Sequence, residues 1–187
     1  MGKRIVAVLA ATLVLLLAAP GAQASPGAAR PEPEAYCGIT WGSQLRRSGP
    51  PNSPGSPLTD VRTGRHDCYD RMVLHLDGPT AGYRVRYVDE VFTVASGEVI
   101  SLRAAGAALE IVLKAPADDG AGHPTYDGVS PRRLPRVDLT GYRTFRVAKY
   151  GGSFEGRTII ALGVRARLPF RVFELDERIV IDVAHQW

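Results

Sequence analysis

Beyond Asp60 the chain alternates: apolar residues recur at every second position through six short runs, and this period of two constrains the fold more than any other feature. Alternate side chains of an extended strand project to opposite faces, so each such run has an inside and an outside. Met72, Leu74 and Leu76 alternate with Arg71, Val73 and His75, and Tyr83, Val85 and Tyr87 alternate with Arg84 and Arg86. Leu109, Ile111 and Leu113 repeat the pattern, as do Phe145 with Val147, and Ile160, Leu162 and Val164 opposite Ala161, Gly163 and Arg165. The last run sets Ile179, Ile181 and Val183 against Val180 and Asp182. Gly and Pro punctuate the joins, at Gly78-Pro79, Ser96-Gly97, Gly151-Gly152 and Pro169. The best helical window, Arg157 to Leu168, fits alternation at least as well and lacks caps at both ends. The pattern predicts an all-β fold, an antiparallel β-sandwich of about eight strands with no substantial helix in the mature chain; a closed barrel is the alternative.

The first 24 residues read differently. Lys3 and Arg4 precede an apolar run from Ile5 to Ala19, and Ala22-Gln23-Ala24 closes it. A basic end, a short apolar stretch and an Ala-x-Ala exit are the parts of a secretory signal peptide. The run would span roughly 22 Å as a helix, short of a bilayer core of about 30 Å, so no stable membrane span is expected after cleavage. The mature chain is expected to start near Ser25, with 163 residues, enough for one compact domain. Losing the leader lowers the formal charge from +4 to +2, which by net charge alone does not mark a polyanion-binding protein, and no nucleic acid partner is expected. Residues 25–35 are small, charged and Pro-rich, the composition of a disordered tether. Residues 36–187 form the expected domain, opening with a hook at 36–44 and a second Pro/Gly/Ser loop at 46–59. Residues 115–136 form a long loop, either a binding loop or disordered, with disorder slightly ahead.

Cys37 and Cys68 both lie in the exported part, where an even number of thiols implies bridging. One disulfide is predicted; closing about 31 residues would contribute roughly 3 to 4 kcal/mol and pin the N-terminal segment to the core. A free catalytic thiol is the weaker reading, because a lone nucleophile needs no second Cys in the same exported chain, and a metal held by Cys68 with His66 and Asp67 is weaker still, because neighbours along an extended chain point to opposite faces.

Catalytic patterns are sparse. Gly151-Gly152-Ser153-Phe154-Glu155-Gly156 lacks the Gly-x-Ser-x-Gly spacing of a nucleophile elbow and reads as a tight turn. His66, His75, His123 and His185 show none of the spacings that set two rings around a zinc. Asp89-Glu90 and the acidic residues from Glu174 to Glu177 read as solvated turns rather than a glycosidase pair. No Gly-rich loop leads into a helix to cradle phosphate. No metal, no cofactor and no catalysis are expected.

The densest polar cluster runs from Arg62 to Arg71, with Arg62, Arg65, His66, Asp67, Asp70 and Arg71 near the expected disulfide. It reads either as a pre-organised patch for a carboxylate or as strand-end ion pairs. The structural reading leads for Asp70 and Arg71; Arg65 and His66 stay open. Among aromatics able to stack on sugars, Tyr126 in the odd loop is the expected exposed one. The candidate ligand-binding residues are therefore Arg62, Arg65, His66 and Tyr126.

The segments Tyr36-Cys37-Gly38-Ile39-Thr40-Trp41-Gly42-Ser43, Arg62 through Arg71, Pro169-Phe170-Arg171-Val172-Phe173 and Arg178-Ile179-Val180-Ile181-Asp182-Val183 together resemble the AMIN-like domain of exported actinobacterial proteins. That group is similar to the AMIN domain found beside cell-wall amidases and in secretin complexes. The resemblance implies a non-catalytic β-sandwich that targets peptidoglycan or another envelope site. The sequence shows no amidase or pore domain, so a standalone binder or adaptor is expected. The leading expectation is a secreted, wall-associated module binding a cell-wall polymer. An envelope adaptor recognising another exported protein through a sheet edge or the 115–136 loop comes second, and a cell-wall hydrolase third.

Overall fold

The computed structural model describes residues 35–49, 55–80 and 82–187. The expected leader and all of the expected tether except Ala35 lie outside the described residues. The described residues contain nine strands in chain order: β1 (Arg46–Arg47), β2 (Leu58–Arg65), β3 (Tyr69–Leu76), β4 (Tyr83–Val88), β5 (Ala107–Leu113), β6 (Phe145–Phe154), β7 (Arg157–Val164), β8 (Phe170–Leu175) and β9 (Arg178–Ala184). The only helical element among the described residues is a 3-10 turn at Tyr36–Gly38. The strands form an antiparallel five-stranded sheet, ordered β1-β4-β5-β7-β6, and an antiparallel four-stranded sheet, ordered β2-β3-β9-β8.

The two sheets share one core. Leu58, Met72, Leu74, Phe170, Ile179 and Ile181 from the four-stranded sheet belong to the same buried cluster as Val85, Leu109, Ile111, Phe145, Ile160 and Leu162 from the five-stranded sheet. All but Leu58 and Phe170 are inward members of the alternating runs, and their burial is the main favourable term in folding. The fold is the expected β-sandwich, and Arg157 to Val164 is strand rather than helix.

Three local expectations are corrected. Residues 58–65, divided by sequence between a loop and a polar cluster, form β2; a bulge between Leu58 and Asp60 breaks the alternation there. Gly151 and Gly152 lie within β6, not in a turn; the chain reverses at Glu155–Gly156. The 115–136 segment is packed, with Ala115, Ala117, Tyr126 and Leu134 in the core. Gly128 permits this, because a side chain there would lie 2.6 to 2.7 Å from the rings of Tyr126 and Tyr150.

The N-terminal hook spans both sheets. Gly42 bridges Phe170 on β8, with the Phe170 N–H donating to the Gly42 carbonyl at 2.6 Å, and Arg46–Arg47 then joins β4. The Cys37–Cys68 disulfide, with a Cα separation of 6.4 Å, fastens the hook to the turn before β3.

Candidate functional site

The hook lies against the outer face of the four-stranded sheet. On that face strand pairing puts Gly64, Arg71, Asp182 and Arg171 in one row: Gly64 is opposite Arg71, Arg71 opposite Asp182, and Asp182 opposite Arg171. Because β9 is an interior strand, Asp182 has an arginine on each side. Arg71 holds it in a two-pronged contact, Nε to Oδ1 at 2.6 Å and Nη2 to Oδ2 at 2.9 Å, and Arg171 Nε donates to Oδ2 at 2.8 Å. Asp182 is fully buried, while the Arg71 and Arg171 side chains remain 24% and 31% exposed. Hydrogen bonding to Asp182 raises the pKa of Arg71, outweighing the opposing effect of burial. One carboxylate thus serves two guanidinium groups, leaving a positive charge in excess.

Aromatic rings enclose that charge. Both guanidinium carbons lie 5.1 to 5.5 Å from the ring centroids of Tyr69 and Phe173, and Arg171 also lies 5.5 Å from Trp41. These are cation–π distances. Trp41 stands 5.9 Å from Tyr69 and 6.5 Å from Tyr36, and its Nε1–H donates to the Tyr36 carbonyl at 2.9 Å. His66 stacks on Tyr69 at 4.5 Å. Tyr36, Trp41, Tyr69 and Phe173 are all half-buried. The exposed parts of these rings offer apolar surface, and the guanidinium groups among them are donors suited to a carboxylate or phosphate.

The sequence-predicted residues are not gathered here as a set. His66 joins the aromatic cluster. Arg62 lies on the same outer face opposite Val73, but is 71% exposed and bound to Asp60 at 2.8 Å. Arg65 is opposite Asp70, whose side chain turns inward, so it projects to the other side of β2 and approaches Gly141 at the sandwich end. Tyr126 corrects the expectation of an exposed ring: it is 2% exposed, 5.4 Å from Tyr150, and burial pushes its phenol pKa up. Trp41, Arg171, Phe173 and Asp182 were missed as site residues. Period two marks Arg171 with Phe173 and Val180 with Asp182 as same-face pairs, but the alignment of β3, β9 and β8 depends on pairing between distant segments.

A second polar cluster has a structural role. Asp70 Oδ2 accepts the N–H groups of Thr144 and Phe145 at 2.6 and 3.0 Å. His185 reaches the Thr144 hydroxyl through Nδ1 at 2.9 Å and the His66 carbonyl through Nε2 at 3.0 Å. Although Thr, His and Asp meet here, all three are buried, and their bonds tie β3, β6 and the end of β9 together. Among the described residues no group of three or more His, Cys, Asp or Glu side chains converges to hold a metal ion, and no helix is long and apolar enough to cross a membrane.

The architecture defines a β-sandwich domain bearing an aromatic and cationic surface on one sheet. The AMIN-like domain profile matches residues 56–185, and the chain belongs to that family. The hook that completes the aromatic cluster precedes the matched stretch. Membership suggests an envelope- or wall-binding module of a generally non-catalytic kind, and the disulfide is consistent with an extracytoplasmic location. No curated protein and no solved structure matches the chain.

Proposed function

We propose that the protein is a secreted, non-catalytic module that binds peptidoglycan or another wall polymer through the outer face of the four-stranded sheet. The observation carrying this reading is the Arg71–Asp182–Arg171 row enclosed by Trp41, Tyr69 and Phe173. Sugar rings have apolar C–H faces that stack on half-exposed aromatics, while wall carboxylates suit the excess guanidinium charge. A shallow platform fits a repetitive polymer, with His66 at its margin. Arg62 adds charge farther along the face. Affinity falls as salt rises, because exposed charge contacts are screened.

Co-sedimentation with purified peptidoglycan tests this. The protein is expected in the pellet at low salt, and Trp41→Ala with Arg171→Gln is expected to shift most of it to the supernatant at a temperature where circular dichroism shows the variant still folded. Wild-type protein left wholly in the supernatant at low salt would contradict the reading.

A further inference from the structure

The outer face of the five-stranded sheet is divided in two. One part is roofed by the β4–β5 connection, where Val91 and Ile100 pack with Ala161 over Val88, Ala108 and Ile159. The other part is an open groove of about 570 Å³ that includes Arg47, Arg84, Lys114 and Arg157 and no carboxylate in its lining. Strand register sets these cations side by side. Arg47 is directly opposite Arg84, Arg84 opposite Val112, and Val112 opposite Ile159, a row across four strands. Leu113 pairs with Thr158, and the next residues, Lys114 and Arg157, both line the groove, with the Lys114 ammonium donating to the Gly49 carbonyl at 3.0 Å. Adjacent strands lie about 4.8 Å apart, so the cations extend over about 14 Å. Glu110 stands to one side, accepting from Arg86 at 2.9 Å and Arg84 at 3.3 Å.

Like charges directly opposite each other weaken a sheet. The Arg47–Arg84 pair carries such a cost, offset in part by Glu110 beside Arg84 and by Glu174, which accepts from the Ser48 hydroxyl at the groove edge, and an anionic ligand would relieve the rest. We propose that this groove is a second binding surface, for a linear phosphodiester polymer of the cell envelope lying across the strands. The guanidinium fork matches phosphate oxygens, and closely spaced cations in an open groove match a chain with regularly spaced charge. The disulfide favours an extracellular polymer over nucleic acid. This surface is on the opposite sheet from the aromatic platform, so either can fail alone.

The probe is fluorescent inorganic polyphosphate of about 20 units, titrated into the oxidised protein at about 50 and 200 mM NaCl. Binding is expected at the lower salt, weakening at the higher. Arg84→Gln with Arg157→Gln should weaken it about tenfold or more and flatten its salt dependence, whereas Trp41→Ala should leave it unchanged. No binding at low salt, equal affinity in the double variant, an equal loss in Trp41→Ala, or equal displacement by duplex DNA of matched charge would each overturn the proposal.

Discussion

Asp182 is the residue on which the aromatic face depends. Fully buried, it compensates two arginines, Arg71 on β3 and Arg171 on β8, one from each flanking strand. Removing Asp182 leaves two half-buried guanidinium groups without the carboxylate that accepts from both, at a cost of about 1 to 3 kcal/mol. Asp182→Ala is expected to show that loss in urea denaturation, while Arg171→Gln costs less because Arg71 keeps both of its bonds; a loss below about 1 kcal/mol for Asp182→Ala would contradict this account. His75, on the same face, supplies a pH signature. Burial lowers its pKa below 6.5, with the Arg62 and Arg178 charges adding to the effect and Asp60 opposing it. A depressed histidine contributes stability above its unfolded pKa and loses it as pH falls through the folded value. Wild type should therefore lose more stability than His75→Gln as pH is lowered from 7 through the region below 6.5, and parallel profiles would exclude this role. At this scale the sequence was partly readable. Asp70 and Arg71 were expected to serve structure; Asp70 accepts the Thr144 and Phe145 N–H groups, while Arg71 pairs with Asp182 and also belongs to the proposed surface. Tyr126 was misjudged because a Pro-rich loop gives no local sign of which ring turns inward.

Among the elements, the alternating runs were the legible part. Each of the six supplies inward residues to the core, because period two is a property of one strand and needs no knowledge of its neighbours. What was not legible depends on pairing or irregularity. The bulge in β2 concealed a strand, and the final Arg-apolar-apolar-apolar-Asp-apolar run does not reveal that β9 is interior. The 115–136 segment supplies Tyr126 and Leu134 to the core, so deleting it would damage the fold as well as any adaptor role. The disulfide joins element to site, since it holds the hook that carries Trp41. Reduction should lower stability by about 3 to 4 kcal/mol, seen as an earlier denaturation midpoint, and should also weaken wall retention. Unchanged stability on reduction would show that the bridge does not constrain this segment.

For the whole molecule, net charge was a poor guide because it counts charges without placing them. The described residues place an arginine pair over a buried carboxylate on one sheet and a groove holding Arg47, Arg84, Lys114 and Arg157 on the other, a distribution that a formal total does not show. The sandwich makes this possible: both inner faces are consumed by the core, and part of each outer face stays uncovered by the hook and by the β4–β5 connection. The central claim is that wall polymer meets the four-stranded sheet. Backbone amide chemical-shift mapping during titration with soluble peptidoglycan fragments tests it most directly. The account predicts perturbations concentrated at Trp41, His66, Tyr69, Arg71, Arg171, Phe173 and Asp182. Perturbations confined to the five-stranded sheet, or none at saturating fragment, would contradict it.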